Sequence, residues 1–190
     1  LNRHLGGQAL NPDYLDSLLG MTEGWVAGVK IALLAYARFG TQALQRFNGS
    51  QPEIVDYFGH VVLRQLPPPL REFLLCCGLF ERFDGALCDH VLQRTGSALL
   101  LEELAERQLF LLPVENQPGS FRFHALLQDF LCRRLLIEEY ARLDQLHSRA
   151  AAYFTQLSEY EQALQHARHC ADQQLFLGLL EQSCAAWVRS

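Results

Sequence analysis

Lysine is almost missing from this chain: Lys30 is the single one in 190 residues. A glycine-rich phosphate loop ends in Gly-Lys-Ser/Thr, and its lysine reaches the terminal phosphates of a nucleotide. Lys30 stands instead in GWVAGVKIAL, so the chain has no Walker motif. It also has no nucleophile-elbow or zinc-protease signature, and no enzymatic activity is expected of it. Concentrated positive charge is lacking too. The net charge is −5, with basic residues dispersed among acids, whereas a nucleic-acid surface shows a basic patch. No CxxC occurs among the six cysteines, and the adjacent Cys76 and Cys77 diverge on a helix and make poor disulfide partners. Reduced, mostly buried thiols of a cytoplasmic protein are the expectation. Arg, Glu, Gln or His interrupts every apolar stretch before it reaches membrane-spanning length, so no membrane partner is expected. The opening LNRHLGGQALNPDY has neither a basic lead into an apolar core nor an initiator Met. That start is expected of an internal piece of a longer protein and is no signal peptide.

What the chain does have is apolar residues, 49% against 19% charged, enough for a globular core in one or two domains. Asn11-Pro12-Asp13 is a helix start that should run to Gly20. Thr22 is expected to open the next helix, which carries Trp25, Val29, Ala32, Leu33 and Tyr36 and stops near Gly40. Asn48-Gly49-Ser50 is a break, and Ser50 with Glu53 reads as a capping box. The helix behind it should bury Ile54, Phe58, Val61 and Val62. Pro67-Pro68-Pro69 ends that helix and primes a short one through Cys76. Asp84 should cap a helix to about Arg94, closed by Gly96, and Ser97 should start another with Leu100, Leu101 and Leu104.

The next stretch carries the most information. Phe110–Leu131 holds two short apolar runs on either side of a Pro-Gly turn, which reads as a β-hairpin. A helix follows at once, with Leu126, Leu127, Phe130 and Leu131 at helical spacing and His124 at its start. Exposed N–H groups and the dipole at such a start favour anions. Arg122 stands two residues earlier. A hairpin placed after several short helices is the wing of a winged-helix domain. Beyond it, Leu143, Leu146, Ala150, Tyr153 and Phe154 form an apolar stripe. Glu159–Ala171 and Gln174–Val188 read as a further helical pair of the kind found in tetratricopeptide (TPR)-like solenoids.

The run LFLLPVENQPGSFRFHALLQDFL resembles the winged-helix segment of the MalT-like, large ATP-binding LuxR-type transcriptional activators, members of the STAND class of signalling ATPases. TEGWVAGVKIALL is similar to the end of that family's nucleotide-binding region, and EIVDYFGHVVLRQLPPPLREFLLCCGLFERFDGAL to its helical lead-in. The resemblance implies a mainly α chain. Residues 1–50 would be the helical end of the ATPase module and 51–137 a winged helix with one small hairpin. Residues 138–190 would be a helical linker and the start of an antiparallel TPR-like sensor arm.

It also implies a site. In STAND ATPases the winged-helix histidine reaches the β-phosphate of bound ADP, and His124 in FRFH matches it. On the residues alone, His124 reads as a helix-capping histidine packed under the wing. Arg122 is a supporting residue or a solvated wing arginine. The family's Gly-x-Pro element, which packs on adenine, is matched at Gly24-Trp25-Val26 with Val in the proline's place. Trp25 is otherwise a core aromatic. His166, His169 and Cys170 share a helix face without a fourth ligand, and no metal is expected. Glu102, Glu103 and Glu106 read as the solvated side of a helix.

The expected function is a regulatory segment that couples nucleotide state, ADP closed and ATP open, to inducer sensing and self-association. The fragment itself needs no cofactor, while the full-length parent binds ADP or ATP. Its partners would be the upstream nucleotide-binding domain, the downstream sensor arm and a possible homo-oligomer, with no direct DNA contact. The alternatives are a helical interaction scaffold and a stand-alone winged-helix DNA-binding protein.

Overall fold

The computed structural model describes residues 12–40, 42, 47–107 and 110–187. These are mainly helical, with one small two-stranded antiparallel sheet. Two compact units share the chain.

The first unit takes residues 1–81, 109–112 and 123–133. Helix α1 spans Pro12–Thr22 and α2 spans Val26–Phe39. The expected cap Asn11 lies outside the described residues. Thr22 ends α1 rather than opening α2, because Glu23 and Gly24 both turn left-handed, with φ 44° and 77°, and break the helix. Gly40 closes α2 at φ 68°, as expected. Helix α3, Pro52–Tyr57, has Pro in its first turn and Gln51 at the N-cap without a side-chain bond. The expected capping box is therefore not formed. Ser50 instead gives both its N–H and its hydroxyl to Asn48 Oδ1 and stays in the preceding turn.

Behind α3 the backbone loosens into a π-helical turn, Phe58–Val62, and then tightens into a 3₁₀ turn, Leu63–Gln65. The wider turn shifts the register, so Ile54, Phe58, Val62 and Leu63 are buried while Val61 points outward, 42% exposed. Helix α4, Pro68–Cys77, starts from the proline run and buries Leu70 and every residue from Phe73 to Cys77. The turn at 47–50 approaches the later helix α7, Ala125–Glu138, very closely. A Cβ on Gly49 would lie 2.5 Å from both Leu126 O and Phe130 N, so only glycine fits. The Gly49 N–H donates to Asp129 Oδ2 at 2.9 Å and seals that contact.

The second unit takes residues 82–108, 113–122 and 134–190. Asp84 caps helix α5, Gly85–Leu92, by accepting the Leu87 N–H at 2.8 Å. That helix stops two residues before Arg94 because Gln93 turns left-handed at φ 53°. Helix α6, Ser97–Glu106, buries Leu101 and Leu104, and the Ser97 N–H donates to Asp89 Oδ1 at 2.9 Å. Strands β1, Leu111–Pro113, and β2, Phe121–Phe123, form the hairpin. Its tip is a type II turn, with Pro118 at the second position, Gly119 at φ 80°, and Ser120 N–H donating to Gln117 O at 3.0 Å. Phe121 also pairs with Phe83 as an isolated antiparallel bridge.

Helices α8, Tyr140–Gln156, α9, Tyr160–Ala167, and α10, Gln173–Trp187, follow. Ala151, Ala163, Ala167 and Leu179 make their shared core, flanked by Phe154, Leu164, Leu175 and Phe176. Small residues at the centre let these helices approach closely. Among the described residues no helix is long and apolar enough to cross a membrane.

Candidate functional site

His124 sits at the junction between β2 and α7 and is 4% exposed. Its backbone N–H donates to Phe110 O at 2.9 Å, and its carbonyl accepts the first helical bond of α7, from Gln128. The Nδ1 atom accepts the Leu126 N–H at 3.2 Å, so it carries a lone pair and the ring's proton is on Nε2. That Nε2–H donates to Thr22 O at 2.6 Å, across 102 residues of sequence. His124 is thus a helix cap and a long-range donor at once.

The acceptor is built by the corner between α1 and α2. Thr22 is fully buried, and its hydroxyl turns back to Leu18 O at 2.8 Å. Its carbonyl also accepts the Trp25 N–H at 2.7 Å. Between them, the left-handed Glu23 and Gly24 swing the chain through the corner. Glycine adopts this freely, whereas the glutamate is held there at a cost of roughly 1 kcal/mol. The Glu23 carboxylate reaches the first turn of α7, where Oε1 accepts the Ala125 N–H at 2.9 Å.

Trp25 packs inside a cluster of rings. It stacks on Phe58 at 5.3 Å and 17°, tilts on Tyr57 at 4.9 Å, and meets Phe110 and His124 edge-on at 5.1 and 5.9 Å. Offset and edge-on arrangements of this kind add to the area they bury. A Cβ on Gly28 would meet the indole at 2.4 Å, so its edge is covered as well. Val26 beside it is 68% exposed.

Of the candidate residues, the structure therefore brings His124, Gly24 and Trp25 together in the first unit. Arg122 belongs to the second unit, half-buried on β2, on the strand face opposite Phe121 and Phe123. Thr22 and Glu23 as acceptors, and Tyr57 and Phe110 as ring partners, carry no clear signal in the sequence. An acidic residue beside a helix-breaking glycine was the available signal for Glu23, and it is a weak one.

The second unit gathers a different set of histidines. His147 of α8 and His166 of α9 approach with their Nδ1 atoms 3.0 Å apart. His169 stacks on His147 at 4.9 Å, and Phe154 lies parallel to His166 at 5.6 Å. Burial, then the neighbouring imidazoles, lowers both His147 and His166 to about 4. The Cys170 thiol is pushed up to about 11, first by burial and then by Asp144 and Asp172. Arg168 donates from Nε to His169 Nε2 at 3.1 Å. Among the described residues no three ligating side chains converge on a metal position.

The central segment is similar to a known family. Residues 59–143 match the MalT winged helix domain. The segment contains α4 to α6, the β1–β2 wing and α7. Over 179 residues, 93% of the chain, the protein is 36% identical to the serine/threonine-protein kinase PknK of Mycobacterium tuberculosis, covering 16% of that kinase. Over 183 residues, 91% of the chain, it is 30% identical to the HTH-type transcriptional regulator MalT of Vibrio parahaemolyticus, covering 20% of it. MalT of Yersinia pestis is 29% identical over 171 residues, which are 87% of the chain and 18% of the regulator. The chain spans 16% to 20% of the length of these relatives. One similar segment thus occurs in proteins named for two different outputs.

Proposed function

We propose that this chain is an internal regulatory segment of a cytoplasmic, ATP-dependent regulator of the MalT-like LuxR type, and that His124 senses nucleotide state. The supporting observation is the convergence of Thr22–Trp25 and FRFH, 102 residues apart, through the His124–Thr22 bond. Both segments resemble nucleotide-contacting elements of STAND ATPases, and they meet in one folded unit.

In this reading an upstream nucleotide-binding domain presents ADP to the corner. His124 then transfers its Nε2–H from Thr22 O to a phosphate oxygen, and Thr22 O keeps the Trp25 N–H and is not orphaned. Val26, exposed beside Gly24, offers the base its apolar contact, because the indole is occupied by Phe58 and Gly28. Release of the clamp on exchange to ATP, with inducer bound to a TPR-like arm beyond α8, would open the protein to self-association. The segment itself acts as a switch and not as an enzyme or a DNA reader. The outward side of α6 carries Glu102 and Glu106, the wrong sign for a phosphate backbone.

The test uses a longer chain that includes an upstream nucleotide-binding region, with ADP retention measured for wild type and His124→Ala. Markedly faster ADP loss in the variant is expected. Equal retention would leave His124 as a cap, and a longer chain that binds no nucleotide would favour a helical interaction scaffold.

A further inference from the structure

Glu23 lies next to Thr22, the acceptor of the His124 bond. Glu23 is exposed, its backbone is left-handed, and its carboxylate is committed to a group 102 residues away, the Ala125 N–H. Helix α7 has no acidic residue in its own first turn, so the negative group facing its positive end comes from this distant corner. The N–H groups at the start of α7 are divided with no overlap. Ala125 donates to Glu23, and Leu126 donates to His124 Nδ1.

We infer that Glu23 is a positioning residue for His124. By holding the Ala125 N–H, its carboxylate fixes the first turn of α7 against the corner. The fixed turn keeps the Leu126 N–H on Nδ1, which keeps the ring's proton on Nε2 and aims it at Thr22 O. The two long-range bonds run in parallel from consecutive acceptors, Thr22 and Glu23, to consecutive residues, His124 and Ala125. Glu23 closes the exposed side of the pair and His124 the buried side. A residue free of this task would not need a strained glutamate backbone. The consequence for nucleotide rests on the reading proposed above.

The test compares Glu23→Ala and Glu23→Gln with wild type, since the Gln carbonyl can still accept from Ala125. In the 190-residue chain, nitrogen-15 shifts of the His124 ring report its tautomer, and hydrogen exchange reports the Ala125 amide. Glu23→Ala should speed Ala125 exchange about tenfold, the worth of a charge-assisted hydrogen bond. It should also mix the ring tautomers, while Glu23→Gln keeps both readouts near wild type. In the longer chain, ADP loss should quicken for Glu23→Ala toward the His124→Ala rate. An unchanged ring and an unchanged amide in Glu23→Ala would overturn the positioning role outright. A changed ring with unchanged ADP loss, in a protein whose His124→Ala variant does lose ADP, would overturn its link to the ligand. If His124→Ala retains ADP as wild type does, the nucleotide reading has failed, and the ring signature still decides Glu23 by itself.

Discussion

Two groups of histidine are built into this chain in opposite ways. His124 in the first unit has two unlike backbone partners, one giving a proton and one taking one, and they settle its tautomer. His147 and His166 in the second unit face each other Nδ1 to Nδ1, in a half-buried setting with a third imidazole and an arginine beside them. The first arrangement uses hydrogen-bond direction as information. The second crowds two imidazoles whose burial disfavours a positive charge on either. A buried imidazole with complementary partners can report on a competing acceptor, whereas a crowded set reports on protons.

The largest expected effect falls on the first arrangement. His124→Ala removes a buried ring from the Trp25 cluster and leaves the Leu126 N–H without its acceptor. A loss of about 2–4 kcal/mol is expected, from the cavity and the orphaned donor together. Urea denaturation would measure it. A loss under about 0.5 kcal/mol would mean the corner and α7 are not joined through this ring.

Gly49→Ala tests the same unit without touching the histidine. Its new Cβ would meet backbone atoms of α7 at 2.5 Å, which no rotamer change relieves. A destabilisation of about 1–3 kcal/mol is expected, with His124 tautomer and ring contacts disturbed secondarily. If the variant is as stable as wild type, the turn at 47–50 does not press on α7 as described.

How much of this was legible in the residues depends on how local the cause is. Asp84 was readable as a cap, and the Pro-Gly turn as a hairpin tip, because each acts on neighbours within three residues. His124 was readable as a helix start for the same reason. Thr22 ends α1 because Glu23 and Gly24 take left-handed backbone behind it, and glutamate rarely does so, which hides the break from the sequence. Val61 was expected inside because helical spacing assumes 3.6 residues per turn, and the π turn at Phe58–Val62 departs from it. Ser50 and Glu53 have the spacing of a capping box, yet Asn48 outcompetes the helix for the Ser50 groups. The Trp25 ring cluster and the Glu23–Ala125 bond join residues 32 to 102 positions apart, and no pattern within one segment encodes them. Resemblance to a family located the segments, but the partners within the corner came from the fold.

The second arrangement should respond to pH. His147 and His166 titrate near 4 when folded and near 6.5 when exposed, so the unfolded chain binds protons more tightly. Their contribution to stability is therefore complete above about pH 6.5 and is lost as pH falls toward 4. Asp144 acts against the shift at His147, and Arg168 and His169 act with it at both rings. Amide exchange at Ala163 and Ala167 should accelerate between pH 6.5 and 4 beyond the intrinsic trend, with little change at Phe130. His166→Gln should flatten that dependence, and an unchanged profile would show that the pair is not the proton-binding group.

The smallest effect sharpens the comparison by sitting outside both histidine groups. Asp84→Ala removes one capping bond, Leu87 N–H to Asp84 Oδ1, at the start of α5. About 1 kcal/mol of stability should be lost, as for other N-cap carboxylates. Burial is the largest cause raising the Tyr153 phenol, and the change removes the Asp84 charge that follows it. Tyr153 should therefore titrate slightly lower in the variant, which ultraviolet titration would register. The His124 tautomer and the pH profile of α8 and α9 should both stay as in wild type. If either moved with Asp84, the two arrangements would share a cause, and the contrast between a directional histidine and a crowded set would have to be redrawn.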